Sequence, residues 1–188
     1  NEGLERLGSE GDADACAGVF QDSGLERVKI PASVREIGSK AFMNCRTLQS
    51  VAFPAGLESV GEGCLEGCGV SRVALSGKVL EKRPDLLGGC PNLRAVELLD
   101  GMEVRAGWFR AQTLEEVSIP ESVVAIGDGA FAGLESLHRV TFAHQSRLQT
   151  VGARAFYNTA LRAFAAPAGL LSIGESAFER CRYLKRVR

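Results

Sequence analysis

The stretch Leu25-Glu26-Arg27-Val28-Lys29-Ile30-Pro31-Ala32-Ser33-Val34-Arg35-Glu36-Ile37-Gly38-Ser39-Lys40-Ala41-Phe42-Met43-Asn44-Cys45 decides the fold, because the chain keeps returning to it. From Leu114 it recurs nearly position for position, as Val117, Ile119, Pro120, Val123, Ile126, Gly127, Ala130 and Phe131. Its opening apolar position falls at Leu25, Leu48, Val70, Leu93, Leu114, Leu137, Leu161 and Leu184, at spacings of 23, 22, 23, 21, 23, 24 and 23 residues. Self-similarity at a fixed period of this size marks a solenoid, in which each unit buries its apolar face only against its neighbours. Residues 25–188 therefore read as one continuous solenoid of seven full repeats and the start of an eighth. Val19-Phe20 stands before Leu25 much as Phe156 stands before Leu161, which makes 1–24 a degenerate N-terminal repeat or flank.

Each template position has a physical reading. The opening stretch alternates at Val28/Ile30, Val51/Phe53, Val73/Leu75, Val96/Leu98, Val117/Ile119 and Val140/Phe142, the period of a half-buried strand. Proline follows at Pro31, Pro54, Pro120 and Pro167 and ends the strand, having no N–H to donate. A second short apolar pair, such as Val34/Ile37, leads to glycine at Gly38, Gly61, Gly127, Gly152 and Gly174, which points to a backbone angle other residues resist. Ala41-Phe42, Ala130-Phe131, Ala155-Phe156 and Ala177-Phe178 follow, preceded by Ser39, Asp128 and Glu175, residues that suit the start of a helical turn. The expected unit is strand, short second strand, then one or two turns of helix. Parallel strands of this kind stack into a curved sheet, about 4.8 Å apart.

Composition narrows the function. The chain has 188 residues, 45% hydrophobic and 24% charged, with a net charge of −1. That is a globular composition with no overall charge to draw nucleic acid or an anionic membrane. No apolar run is long enough to span a bilayer.

The pattern LxxVxIPxxVxxIGxxAFxxC resembles the BspA-type leucine-rich repeat across residues 25–188. The resemblance implies a solenoid of parallel strands used for protein–protein contact, in a family that includes bacterial surface adhesins and eukaryotic interaction scaffolds. It carries over no catalytic residue and no cofactor.

Two adjacent copies depart from the pattern. After Val70, Ser76 replaces the proline, Lys82 an apolar position and Arg83 the glycine; after Leu93, Leu99 and Arg105 take the proline and glycine positions beside Trp108, and one residue is missing. One reading is drift, which repeat arrays tolerate because each copy meets only its neighbours. The other is a docking patch over 76–112, formed by Arg83, Met102, Arg105 and Trp108, with Met102 and Trp108 partly exposed.

Six cysteines invite a metal or disulfide reading. Cys45, Cys68, Cys90 and Cys181 share one template position that Leu134 fills elsewhere, and Cys64 stands at the alanine position, as small buried hydrophobes do. No CxxC pair exists and His138 and His144 are far from the cysteines, so no metal site is expected. Buried reduced thiols fit an intracellular or organellar compartment, though no address is written in the chain. Neither histidine belongs to a nucleophile motif, and there is no phosphate-binding glycine loop. The expectation is no enzyme.

The strands present two outward columns, Arg27, Ser50, Arg72, Ala95, Glu116, Arg139, Ala163, Arg186 and Lys29, Ala52, Ala74, Glu97, Ser118, Thr141, Ala165, Arg188. Arg27, Lys29, Arg72, Arg139, Arg186 and Arg188 outnumber Glu97 and Glu116, so the concave strand face is expected to favour an acidic protein segment or neighbouring subunits of a complex. No aromatics interleave with the arginines, which argues against single-stranded nucleic acid. Leu184-x-x-Val187 opens another strand without a cap, so further repeats or another subunit are expected to cover it. The preferred reading is a non-enzymatic interaction scaffold, a docking subunit or segment of a larger chain or assembly. A cell-surface adhesion module is the alternative, and a repeat region attached to a catalytic domain a third.

Overall fold

The computed structural model describes residues 6–7 and 18–187. Along the chain run β1 (Arg6–Leu7), β2 (Glu36–Ile37), β3 (Ser50–Ala52), β4 (Ser59–Val60), β5 (Arg72–Leu75), helix α1 (Gly77–Lys82), β6 (Ala95–Leu98), β7 (Glu103–Val104), β8 (Glu116–Ile119), β9 (Ala125–Ile126), β10 (Arg139–Phe142), β11 (Thr150–Val151), β12 (Ala163–Phe164), β13 (Ser172–Ile173) and β14 (Arg186–Val187). Every pairing is parallel, and each strand pairs with its counterpart in a neighbouring copy. The opening strands form one ladder, β3-β5-β6-β8-β10, with β12 and β14 paired beyond it. The second strands form β1-β2-β4 and β7-β9-β11-β13. The carbonyls of Pro31, Pro54, Pro120 and Pro167 each accept from the residue three places on, as in Val34 N to Pro31 O at 3.1 Å and Leu57 N to Pro54 O at 3.0 Å, which bends the chain from one ladder to the other.

The Ala-Phe segments are single turns closed by bonds such as Met43 N to Lys40 O at 3.0 Å and Cys45 N to Phe42 O at 3.1 Å, not continuous helix. Lys40 and Asn44 take left-handed φ of 57° and 58°, and Arg154 and Asn158 do the same at 53° and 55°. Those residues break any helix and swing alternate amides sideways. Lys40, Phe42 and Asn44 donate to the carbonyls of Glu62, Cys64 and Glu66 at 2.8–2.9 Å, and Arg154, Phe156 and Asn158 to those of Glu175, Ala177 and Glu179. The segment is thus a third intercopy ladder. Asp128 does not cap a helix of its own either; its Oδ1 accepts from Ala153 N of the next copy at 2.7 Å.

The repeating glycine serves a purpose other than the expected backbone angle. Gly61, Gly152 and Gly174 have no positive φ, but a Cβ at Gly61 would lie 2.2 Å from Ser39 N, and one at Gly174 2.5 Å from Ala153 N. Close approach between copies requires the glycine.

The core fills the space between the ladders. The phenylalanine position stacks from copy to copy, with ring centroids 5.4 Å apart for Phe20–Phe42, 5.0 Å for Phe109–Phe131, 5.1 Å for Phe131–Phe156 and 5.2 Å for Phe156–Phe178. Leu65 and Leu87, both buried, stand at that position between the two runs of rings.

Both irregular copies have a physical explanation. Helix α1 takes the place of a second strand, which splits the second ladder between β4 and β7. Ser76, where proline usually stands, caps the helix by accepting from Lys78 N at 3.2 Å, and its own hydroxyl donates to Asp100 Oδ1. That carboxylate also accepts from Gly77 N at 3.0 Å, which ties the two departures together. Lys82 is exposed rather than buried, because the helical period puts Val79 and Leu80 inward instead. Its ammonium donates to Glu58 O at 2.8 Å, a carbonyl just before β4.

Candidate functional site

Parallel register lines up the outward side chains into continuous columns. Arg27 faces Ser50, Ser50 faces Arg72, and Arg72, Ala95, Glu116 and Arg139 follow in register, with Ala95, expected to be outward, buried instead between its larger neighbours. Beside them run Ala52, Ala74, Glu97, Ser118 and Thr141. Of the residues named from the sequence, Arg27, Lys29, Arg72, Glu97, Arg139 and Arg186 are exposed and Glu116 is half-buried, while Arg188 lies outside the described residues. Glu116 partly neutralises the column, its Oε1 standing 3.7 Å from the Arg139 guanidinium. A shallow groove of about 330 Å³ opens at the C-terminal ends of β6, β8 and β10, with Glu97, Leu99, Pro120, Thr141 and Phe142 among its lining residues.

A third column went unrecognised in the sequence. The residue after each opening leucine belongs to neither strand column, yet Arg94, Arg162 and Lys185 are all exposed there. Their backbones continue the ladder: Glu115 N donates to Arg94 O at 2.7 Å, His138 N to Glu115 O at 3.0 Å and Lys185 N to Arg162 O at 3.1 Å. Arg94 pairs with Glu115 on the next copy. The signal was present as the recurring position itself; what hid it is that two consecutive outward residues break the strand alternation.

The docking patch over 76–112 requires correction at Trp108. That side chain is 2% exposed, not part of the surface. It occupies the alanine position before Phe109, and a Cβ added at Gly77 would lie 3.4 Å from its ring, so the indole fills the space that α1 leaves. Met102 is 71% exposed just before β7. Arg105 is exposed and pairs with Glu103 at 3.2 Å, whereas Arg83 ends α1, its N–H bonded to Val79 O and its side chain 3.6 Å from Asp85.

The cysteines are structural donors. Cys45 Sγ donates to Phe20 O at 2.9 Å, Cys68 to Cys45 O at 3.4 Å and Cys181 to Phe156 O at 3.0 Å; Thr159, in the same column, bonds Phe156 O at 3.0 Å. Cys45, Cys64, Cys68, Cys90 and Cys181 are free thiols, and Cys16 lies outside the described residues. Burial pushes the Cys64 and Cys90 thiols up to about 12 and raises that of Cys68. They are held protonated and unreactive. Among the described residues no His, Cys, Asp and Glu side chains group as metal ligands, and no helix is long and apolar enough to cross a membrane. His138 Nδ1 lies 3.3 Å from Ser136 O, and His144 is exposed in the loop beyond β10.

Curated proteins include no match to this chain. Solved structures that resemble it are leucine-rich repeat proteins. One is a leucine-rich cell-surface protein from Faecalibacterium prausnitzii, with 29% identity over 91% of this chain and 41% of that one and a TM-score of 0.47. A leucine-rich repeat protein from Bacteroides ovatus has 23% identity over 93% and 57%, TM-score 0.49, and one from T. pallidum 22% over 86% and 68%, TM-score 0.48. The chain spans about half the length of the first two. The model of the BspA-type leucine-rich repeat region, in six copies, matches residues 16–107 and 102–188, and with the three ladders and the recurring phenylalanine stack this places the chain in the BspA-type leucine-rich repeat family.

Proposed function

We propose that the chain is a non-enzymatic protein–protein interaction scaffold that presents its strand face to a partner and works as a docking segment of a larger chain or assembly. Family membership supports an interaction or surface-type repeat module. The observation that carries the strand-face reading is the register: Ala52, Ala74, Glu97, Ser118 and Thr141 form an unbroken row of mostly short outward side chains, flanked by Arg72 and Arg139. Short residues let a partner's backbone come close, and the flanking cations fix its orientation. The rigid ladders hold these groups in place without the partner's help, which lowers the entropy lost on binding.

Site-specific photocrosslinking tests the reading. A benzophenone side chain at Ser118 should give protein adducts, whereas one at Ala132, on the turn ladder, should not. Charge reversal in R72E/R139E should weaken formation of the Ser118 adduct and make what remains more sensitive to salt. Adducts from Ala132 alone, or Ser118 adducts indifferent to R72E/R139E and to salt, would overturn it.

A further inference from the structure

We infer that one corner of the strand face, where Arg139, Arg162, Lys185 and Arg186 gather at the N-terminal ends of β10, β12 and β14, is a docking site for an acidic peptide segment. This rests on the strand-face reading and narrows it to one end and one partner chemistry.

Charge is segregated along the chain. Residues 139–188 hold nine Lys and Arg against two Asp and Glu, whereas 1–138 hold 13 against 21. A net charge of −1 hides this division. The two acidic residues of the basic end are Glu175 and Glu179, both on the turn ladder, where their carbonyls accept from Arg154 and Asn158. Neither stands on the strand face.

The backbone brings the cations together. Lys185 N donates to Arg162 O at 3.1 Å, and Arg186 faces Ala163 in register, so these side chains rise from neighbouring strands about 4.8 Å apart. All four cations are exposed. Toward the middle of the face Glu115 answers Arg94, and at the inner edge of the corner Glu116 partly answers Arg139, which leaves Arg162, Lys185 and Arg186 as its uncompensated cations. Among the described residues no ion pair forms at Arg162, Lys185 or Arg186. Like charges on adjacent strands repel one another, and an anionic ligand relieves that repulsion. Ala163 and Ala165, both exposed and short, leave a floor between the cations on which an extended segment can lie.

A peptide fits better than a nucleic acid. The two strand columns here, Arg139, Thr141, Ala163, Ala165 and Arg186, hold no aromatic residue. The nearby rings are half-buried His138 and, in the turn before β14, Tyr183, which form no row along the cations for successive bases to stack on. Exposed pairs of this kind give modest affinity, strongly screened by salt.

The test uses the 188-residue chain and a fluorescein-labelled peptide of alternating glutamate and serine, read by fluorescence anisotropy. The peptide should bind at low salt and weaken as salt is raised. R162E/R186E should weaken binding about tenfold, the size of two exposed charge pairs, and R162Q/R186Q by somewhat less. Because the glutamine variant adds no repulsion, it serves as the readout if the reversal variant melts at a lower temperature. R27E/K29E, at the other end of the same face, should leave binding within a factor of about two. No binding at low salt overturns the inference while leaving the scaffold reading, whose test is the Ser118 adduct. Equal losses from R27E/K29E and R162E/R186E overturn the corner as a site. A single-stranded oligonucleotide that displaces the peptide at lower concentration overturns the choice of partner chemistry.

Discussion

Glycine plays three separable parts here, and substitution by alanine tells them apart. At Gly61 an added Cβ would meet Ser39 N at 2.2 Å, backbone against backbone, with no flexible end to give way. Gly129 has a φ of 62° with only Ala132 Cβ near, at 3.9 Å, so alanine there costs conformational energy alone. Gly24 has nothing within 4 Å. Gly61→Ala should therefore lose about 3 kcal/mol, Gly129→Ala about 1 kcal/mol, and Gly24→Ala little or nothing by urea denaturation. An ordering other than this one would show that the close approach at Gly61 is not what the repeat requires. The buried thiols give a second residue-scale prediction. Folding raises Cys64 and Cys90 from 9.0 to about 12, so as pH climbs the unfolded chain releases these protons first. The stability they contribute is whole below pH 9 and is lost progressively between 9 and about 12. Urea midpoints should be flat below pH 9 and fall above it, with a shallower fall in C64A/C90A; identical slopes in the two proteins would refute the assignment. Iodoacetamide near pH 8 should modify Cys64 and Cys90 only once urea has unfolded the chain.

At the scale of elements, α1 shows how an irregular copy is accommodated. Taking a strand out of the second ladder leaves carbonyls before β4 without partners, and Lys82 supplies one of the missing donors. Ser76 and Asp100 then fix the helix start, and Trp108 fills the volume beside Gly77. Ser76→Ala removes a cap and one of the two donors to the Asp100 carboxylate, so a loss of about 2 kcal/mol is expected, with faster amide exchange over 77–82 and little change in β10–β12. Uniform acceleration along the whole chain would contradict this local role. The departures at Ser76, Lys82, Arg83 and Arg105 were legible in the sequence; their meaning was not. Pattern matching shows that a position has changed, whereas Trp108 goes inward only because α1 vacates the slot. The helical turns expected after each glycine stop at single turns for a similar reason. Lys40, Asn44, Arg154 and Asn158 adopt left-handed angles to complete an intercopy ladder, and no local propensity favours that for lysine or arginine.

For the molecule as a whole, stability is a chain of nearest-neighbour interfaces. Phe131 is buried with a ring on either side, at 5.0 Å and 5.1 Å, whereas half-buried Phe178 stacks on Phe156 at 5.2 Å. Phe131→Ala should lose about 4 kcal/mol and Phe178→Ala clearly less, measured by urea denaturation. Equal losses would mean that the stack is not additive along the solenoid.

The sequence by itself determined the repeat, its register and the inward positions of the regular copies, because a period near 23 residues forces equivalent positions into columns, and columns alternate in and out with the strand. The two strand-face columns were readable for the same reason. Only the tertiary structure decided why the repeating glycine is needed, where Trp108 goes, and that the Ala-Phe segment hydrogen-bonds to the next copy as well as within its own turns. Each of those depends on the distance between one copy and its neighbour, a quantity that no single copy encodes.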